Sequence, residues 1–197
     1  MPTKAESIKD DPAVADVLVC KLCQDLPLGP KPILQVHQSA KILIAGQAPG
    51  SKTHHKGVPF DDASGNRLRE WLGVDRDTFY DASKIAILPM AFCFPGSSKS
   101  GDLPPPKRCA DTWRTQLLAG LPNIELTLII GQYALEWHLG SQQSGTVTET
   151  VKRWREFWPK QLPMPHPSPR NNRWLSSNPW FGDEVLPELR KRVRQIV

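Results

Sequence analysis

The chain has 197 residues, a net charge of +5 and a pI near 9.1, which suits one domain spanning residues 1–197 with a hydrophobic core. It shows no apolar run long enough to cross a membrane and no secretory signal, so a cytoplasmic monomer with no membrane partner is expected. The mild basic excess is compatible with a polyanionic partner without demanding one, whereas 20 prolines imply stiff connecting loops.

In chain order, residues 1–19 open with mixed charge and end in VADVLV, which reads as a helix leading into Cys20. Residues 26–32, LPLGPKP, form a turn-rich connector. The apolar run Ile42-Leu43-Ile44-Ala45 reads as a buried strand, and its end meets a loop rich in Gly, Pro, His and Asp. Helical spacing follows in RLREWLG. A second strand is expected over residues 84–92, broken near Pro89, then a loop over 95–106 and a helix over 107–118. Residues 126–130 read as a third strand and 133–139 as a short helix. Residues 148–157 read as helical, 161–165 as a short last strand, and 183–196 as an amphipathic tail helix. Alternating β and α segments predict a three-layer α/β/α fold around a mostly parallel sheet. In such sheets ligands bind at the carboxyl ends of strands. Two loops fall there, residues 46–66 and the run His166-Pro167-Ser168-Pro169-Arg170-Asn171, and they are expected to face each other.

Cys20 and Cys23 form a C-x2-C pair, and Cys93 and Cys109 follow, with 15 residues between them. In a cytosolic chain this set suggests metal or redox chemistry rather than disulfides. Spacing alone leaves zinc and an iron–sulfur cluster open, since four thiolates serve both.

The order C-x2-C, Gly46-Gln47-Ala48-Pro49-Gly50, Gly57-Val58-Pro59-Phe60, Cys93, Cys109 and His166-Pro167-Ser168-Pro169-Arg170 resembles the uracil-DNA glycosylase superfamily, and within it the branch that carries a [4Fe–4S] cluster. The similarity spans roughly residues 20–171. It implies a four-stranded parallel sheet and a cluster held by Cys20, Cys23, Cys93 and Cys109, structural in role, with zinc as the alternative. It also implies DNA containing uracil or another deaminated base as partner, and excision of that base in repair.

Excision requires flipping the base into a closed pocket. The bond then breaks with positive charge on the sugar and negative charge on the departing base. Phe60 is placed to stack on the base, and Gly46 and Ala48 to line its pocket. His166 is the candidate hydrogen-bond donor to the leaving base. By resemblance its loop enters the minor groove, where Ser168 suits a phosphate, Arg170 the backbone or groove, and Asn171 extends the contact.

The activating group departs from the resemblance. Where the best-known branch has an aspartate this chain has Ala48, and where the iron–sulfur branch has a glutamate it has Gln47, an amide that cannot act as a base. Asp62, ahead of Ser64-Gly65, resembles the substitute carboxylate of a further branch, and Asp61 is the second choice. Either could instead cap the following helix. A base-reading asparagine found in many relatives after the second strand has no counterpart in ILPMAFC. His54 and His55 are expected to be solvated or to face DNA beside Lys52 and Lys56, since the insertion of the branch that bonds DNA through a histidine is missing. His37 and His138 read as ordinary. The expectation is a monofunctional glycosylase. The alternatives are a non-catalytic lesion-DNA-binding protein of the same fold and an enzyme acting on a free nucleotide or another N-glycoside.

Overall fold

The computed structural model describes residues 12–99 and 101–197, so the mixed-charge start of the chain and Ser100 of the 95–106 loop lie outside the described residues. The elements in order are α1 (Pro12–Leu18), β1 (Ile42–Ala45), α2 (Ser51–Lys56), α3 (Ala63–Leu72), α4 (Arg76–Phe79), β2 (Ile85–Ile87), β3 (Ser97–Ser98), β4 (Gly101–Asp102) and α5 (Lys107–Ala119). After them come β5 (Leu126–Ile130), α6 (Gln132–Leu139), α7 (Val147–Lys152), β6 (Gln161–Met164), α8 (Asn172–Ser177) and α9 (Leu186–Ile196).

The main sheet runs β2-β1-β5-β6, with every pairing parallel. Period-two alternation divides it between two helical layers. Ile42 and Ile44 of β1 turn to the face covered by Leu68, Trp71 and Leu72 of α3 and by Leu189 and Val193 of α9. Leu43 turns to the opposite face, against Val14 and Val17 of α1 and Leu117 of α5. Ala45 and Ile129 on that side meet Ala134 and Leu135 of α6. Both sheet faces are therefore buried, as the continuous apolar runs require. Pro163 sits in β6, an edge strand, where a missing N–H costs least.

The strand expected over 84–92 is shortened to Ile85–Ile87, and three further segments differ from the sequence expectation. Residues 51–56 form a turn of helix, closed by Gly57 at φ 72° and by Lys31, whose ammonium donates to the carbonyl of His54 at 2.5 Å. A cation at a helix C-terminus is favourable, but its source is 23 residues away and invisible to local pattern. The 95–106 loop contains a two-stranded antiparallel hairpin, β3–β4, pairing Ser97 with Asp102. The helix expected over 148–157 stops at Lys152 and continues as a 3-10 turn over Trp154–Glu156.

The chain moves outward in opposite directions from β1 to β2 and from β1 to β5, so the strand order reverses between β1 and β5. The carboxyl ends beside that reversal are the ordinary ligand position in an open α/β sheet. The 46–50 turn leaves β1 there, and His166 follows β6 close by.

Candidate active site

Phe60 is held in an unusual backbone state. Its φ is +54°, a left-handed value that a bulky residue adopts only when its surroundings enforce it. Those surroundings are specific. Tyr80 donates its hydroxyl to the carbonyl of Pro59 at 3.0 Å, and Arg69 reaches the carbonyl of Phe60 at 3.4 Å. Gly65 lies against the same carbonyl so closely that a Cβ there would stand 1.6 Å from the oxygen. The ring itself is half-buried, packs edge-on to Phe79 at 6.3 Å, and covers Gly46, whose Cβ position is 3.6 Å from its Cζ. An aromatic face thus stands over the end of β1.

The two carboxylates after Phe60 have separate surroundings. Asp61 is clamped by Arg76 at 2.7 Å and Lys56 at 3.1 Å, and their hydrogen bonds hold its pKa below the ordinary carboxylate range. Asp62 caps α3, its Oδ1 accepting from the backbone N–H of Gly65 at 2.9 Å. The Asp62 charge also acts on His166.

His166 accepts the backbone N–H of Ser168 at Nδ1, at 3.1 Å. The neutral ring therefore carries its proton on Nε2 and presents it as a donor. Burial pushes the pKa of His166 below its usual value, against the opposing charges of Asp62 and Asp102. Asn171 donates to the carbonyl of His166 at 2.7 Å, and the Ser168 hydroxyl accepts from the N–H of Arg170 at 3.2 Å. Both side chains thus shape the loop, while Arg170 stays exposed. Arg67 of α3 joins the two expected loops directly, donating to the carbonyl of Ser168 at 3.0 Å and to Asn172 Oδ1 at 2.7 Å.

Gln47 is half-buried and gives its amide N–H to the carbonyl of Leu103 at 2.9 Å, which ties the first loop to the β3–β4 hairpin. Ala48 packs against the core on the α1 and α5 side of the sheet. Of the two loop histidines expected at the surface, His55 is exposed, as is the neighbouring Lys52, but His54 is not. It is 8% exposed, with its ring 6.1 Å from Phe94, and burial and the neighbouring Lys31 push its pKa down. Closing residues 51–56 into a helix turned it inward. His138 accepts from buried Arg114 at 2.7 Å, whereas His37 accepts the N–H of Ser39 in an exposed turn. Asp102 falls within the 95–106 segment expected as loop, and its charge acts on His166. No periodicity marks it, because the hairpin is two residues per strand.

Cys20, Cys23, Cys93 and Cys109 are all free thiols lining one hollow. Burial pushes the thiol of Cys93 up to about 11 and that of Cys109 up to about 12. Arg108 donates Nε to the sulfur of Cys23 at 3.1 Å and pairs with Asp25. Among the described residues, no three His, Cys, Asp or Glu side chains gather as they would around a single metal ion. Four sulfur donors around one hollow fit an iron–sulfur cluster in number and kind, since each iron takes its own thiolate and the sulfurs need not converge on a point. A cleft of about 820 Å³ lies at the opposite end of β5 and β6 beside Glu125, Lys160 and Arg192. Arg192 is paired with Glu125 at 3.3 Å there, and none of the motif residues reaches that cleft.

A family model described as the uracil DNA glycosylase superfamily matches residues 35–190. The chain is 28% identical over 155 residues to the type-4 uracil-DNA glycosylase of Archaeoglobus fulgidus, covering 73% of this chain and 74% of that protein. A solution NMR structure of a candidate uracil DNA glycosylase from Methanosarcina acetivorans aligns with a TM-score of 0.49 at 16% identity, covering 80% of this chain and 93% of the other.

Proposed function

The chain belongs to the uracil DNA glycosylase superfamily, and on that footing we propose that it is a monofunctional DNA glycosylase that hydrolyses the N-glycosidic bond of uracil or a related deaminated base. The observation that carries this reading is the fixed tautomer of His166, whose Nδ1 is taken by Ser168 so that Nε2–H is left to donate. A donor of that kind stabilises the negative charge that appears on a departing base without giving up its proton. Phe60, locked over Gly46, supplies the stacking face for the flipped base. Gly46 is assigned to the pocket floor, while Ala48 packs toward α1 and α5.

Asp62 puts negative charge near His166, where the sugar becomes positive as the bond breaks. Asp61 is less suited, being paired with two cations, and the Gln47 amide is engaged by Leu103. Ser168, Arg170 and Asn171 form the loop that meets the DNA backbone. The four cysteines are assigned to a [4Fe–4S] cluster, with zinc as the alternative. When bound, the cluster would cross-link the segment after α1 to the start of α5. Cys109 stands in the first turn of α5, and Arg108 gives a hydrogen bond to Cys23.

A second reading is a lesion-binding protein without efficient cleavage, favoured by the missing acid at Gln47 and Ala48. Anaerobically purified protein, assayed for iron and sulfide, is tested on oligonucleotides carrying uracil, hypoxanthine or xanthine. Release of one base, lost in Asp62→Asn, supports the glycosylase. Tight binding to lesion DNA with no release on any base selects the binding protein. Zinc in place of iron and sulfide rejects the cluster.

A further inference from the structure

Asp102 joins both halves of the site through a hairpin that belongs to neither motif. Its partner across the hairpin is Ser97, whose hydroxyl donates to Oδ1 at 2.7 Å and fixes the carboxylate plane. The other oxygen, Oδ2, approaches the first motif: a Cβ on Gly50 would stand 3.4 Å from it, so the glycine lets the backbone of that motif come up against the carboxylate. The adjacent carbonyl, that of Leu103, takes the Gln47 amide at 2.9 Å, and the Leu103 N–H returns to Gly96 at 2.9 Å. On its other side the hairpin meets the second motif, because a Cβ on Gly101 would stand 2.8 Å from Nη1 of Arg170. The carboxylate is therefore held between Gly50 and the His166 loop, within electrostatic reach of the imidazole. Asp62 is the other carboxylate with that reach, but its Oδ1 is committed to the cap of α3.

We propose that Asp102 is the general base of the reaction, taking over from the hairpin the task that Gln47 and Ala48 cannot perform. This rests on the glycosylase reading. A water held by Oδ2 adds its oxygen to C1′ of the sugar and gives one proton to the Asp102 carboxylate. The C1′–N bond breaks, and its electron pair leaves with the base as an anion that accepts the Nε2–H of His166. Asp62 then acts through its charge on the sugar and Asp102 through the proton, which divides the work of one acid between two loops.

The test uses single-turnover base release by the full-length, cluster-loaded protein on its best deaminated-base oligonucleotide. Asp102 is exposed on a hairpin outside the core, so its variants keep the fold. Asp102→Asn is expected to lose on the order of 10²-fold or more in rate, the usual weight of a general base, with DNA affinity unchanged. Asp102→Ala is expected to regain rate with added formate, which a merely structural role would not permit. A rate within about threefold of wild type, an equal loss of DNA affinity, or no recovery with formate overturns the proposal while leaving the glycosylase reading intact. If the wild-type chain releases no base at all, the glycosylase reading has failed and this assignment falls with it.

Discussion

Ser168 donates its backbone N–H to Nδ1 of His166 at 3.1 Å, so a loop amide decides which nitrogen of the imidazole carries the proton. Burial favours the same neutral state by depressing the pKa, against the pull of Asp62 and Asp102. His166→Ala should lower base release on the order of 10²-fold, the usual weight of one preorganised donor, with DNA affinity changed far less. Equal losses in rate and affinity, measured by single turnover and by titration, would reject the donor role.

The cap and the charge of Asp62 can be separated. Asparagine caps a helix as well as aspartate does, so Asp62→Asn should leave the unfolding midpoint near wild type while removing the charge near His166. Asp62→Ala should cost about 1 kcal/mol of stability from the lost bond to Gly65. Denaturant unfolding of the two variants beside their base-release rates gives both answers. An Asn variant as unstable as the Ala variant would refute this assignment of the cap.

Gly65 accepts no side chain. A Cβ there would stand 1.6 Å from the carbonyl oxygen of Phe60, and backbone cannot yield as a flexible side chain does. Gly65→Ala is expected to cost about 3 kcal/mol and to displace the Phe60 ring. Calorimetry reads the first effect and loss of binding to lesion DNA the second.

Arg114 is fully buried and donates to the carbonyls of Leu88 and Pro89 at 2.9 and 3.1 Å and to the ring nitrogen of His138 at 2.7 Å. Burial, then the neighbouring guanidinium, pushes the pKa of His138 down to about 3. Because the folded value lies below the unfolded value near 6.5, the unfolded chain binds the extra proton. This contribution is present above pH 6.5 and is lost as pH falls toward 3. His138→Gln, which has no such proton to bind, should show a flatter fall of denaturation midpoint across that window. Parallel curves for the two proteins would refute the coupling.

Strand and helix positions around β1, β5, β6, α5 and α9 were legible because each is a local apolar pattern of one period. The hairpin at 97–102 was not, since two residues per strand leave no period to read. The helix at 51–56 was also missed, because the cation closing it comes from Lys31. The same closure explains His54, expected at the surface and found buried against Phe94.

The site divides in the same way. Sequence alone determined which residues are chemically capable: Phe60, Asp62, His166 and four cysteines stand in motifs whose order is fixed along the chain. Tertiary structure decided what each is free to do. It clamped Asp61 between Lys56 and Arg76, set Asp62 on the end of α3, gave the Gln47 amide to Leu103, and brought Asp102 to Gly50. Chemical capability belongs to a side chain and its neighbours in sequence. Availability depends on which distant donors and acceptors reach the same point in space, and only the folded chain sets that.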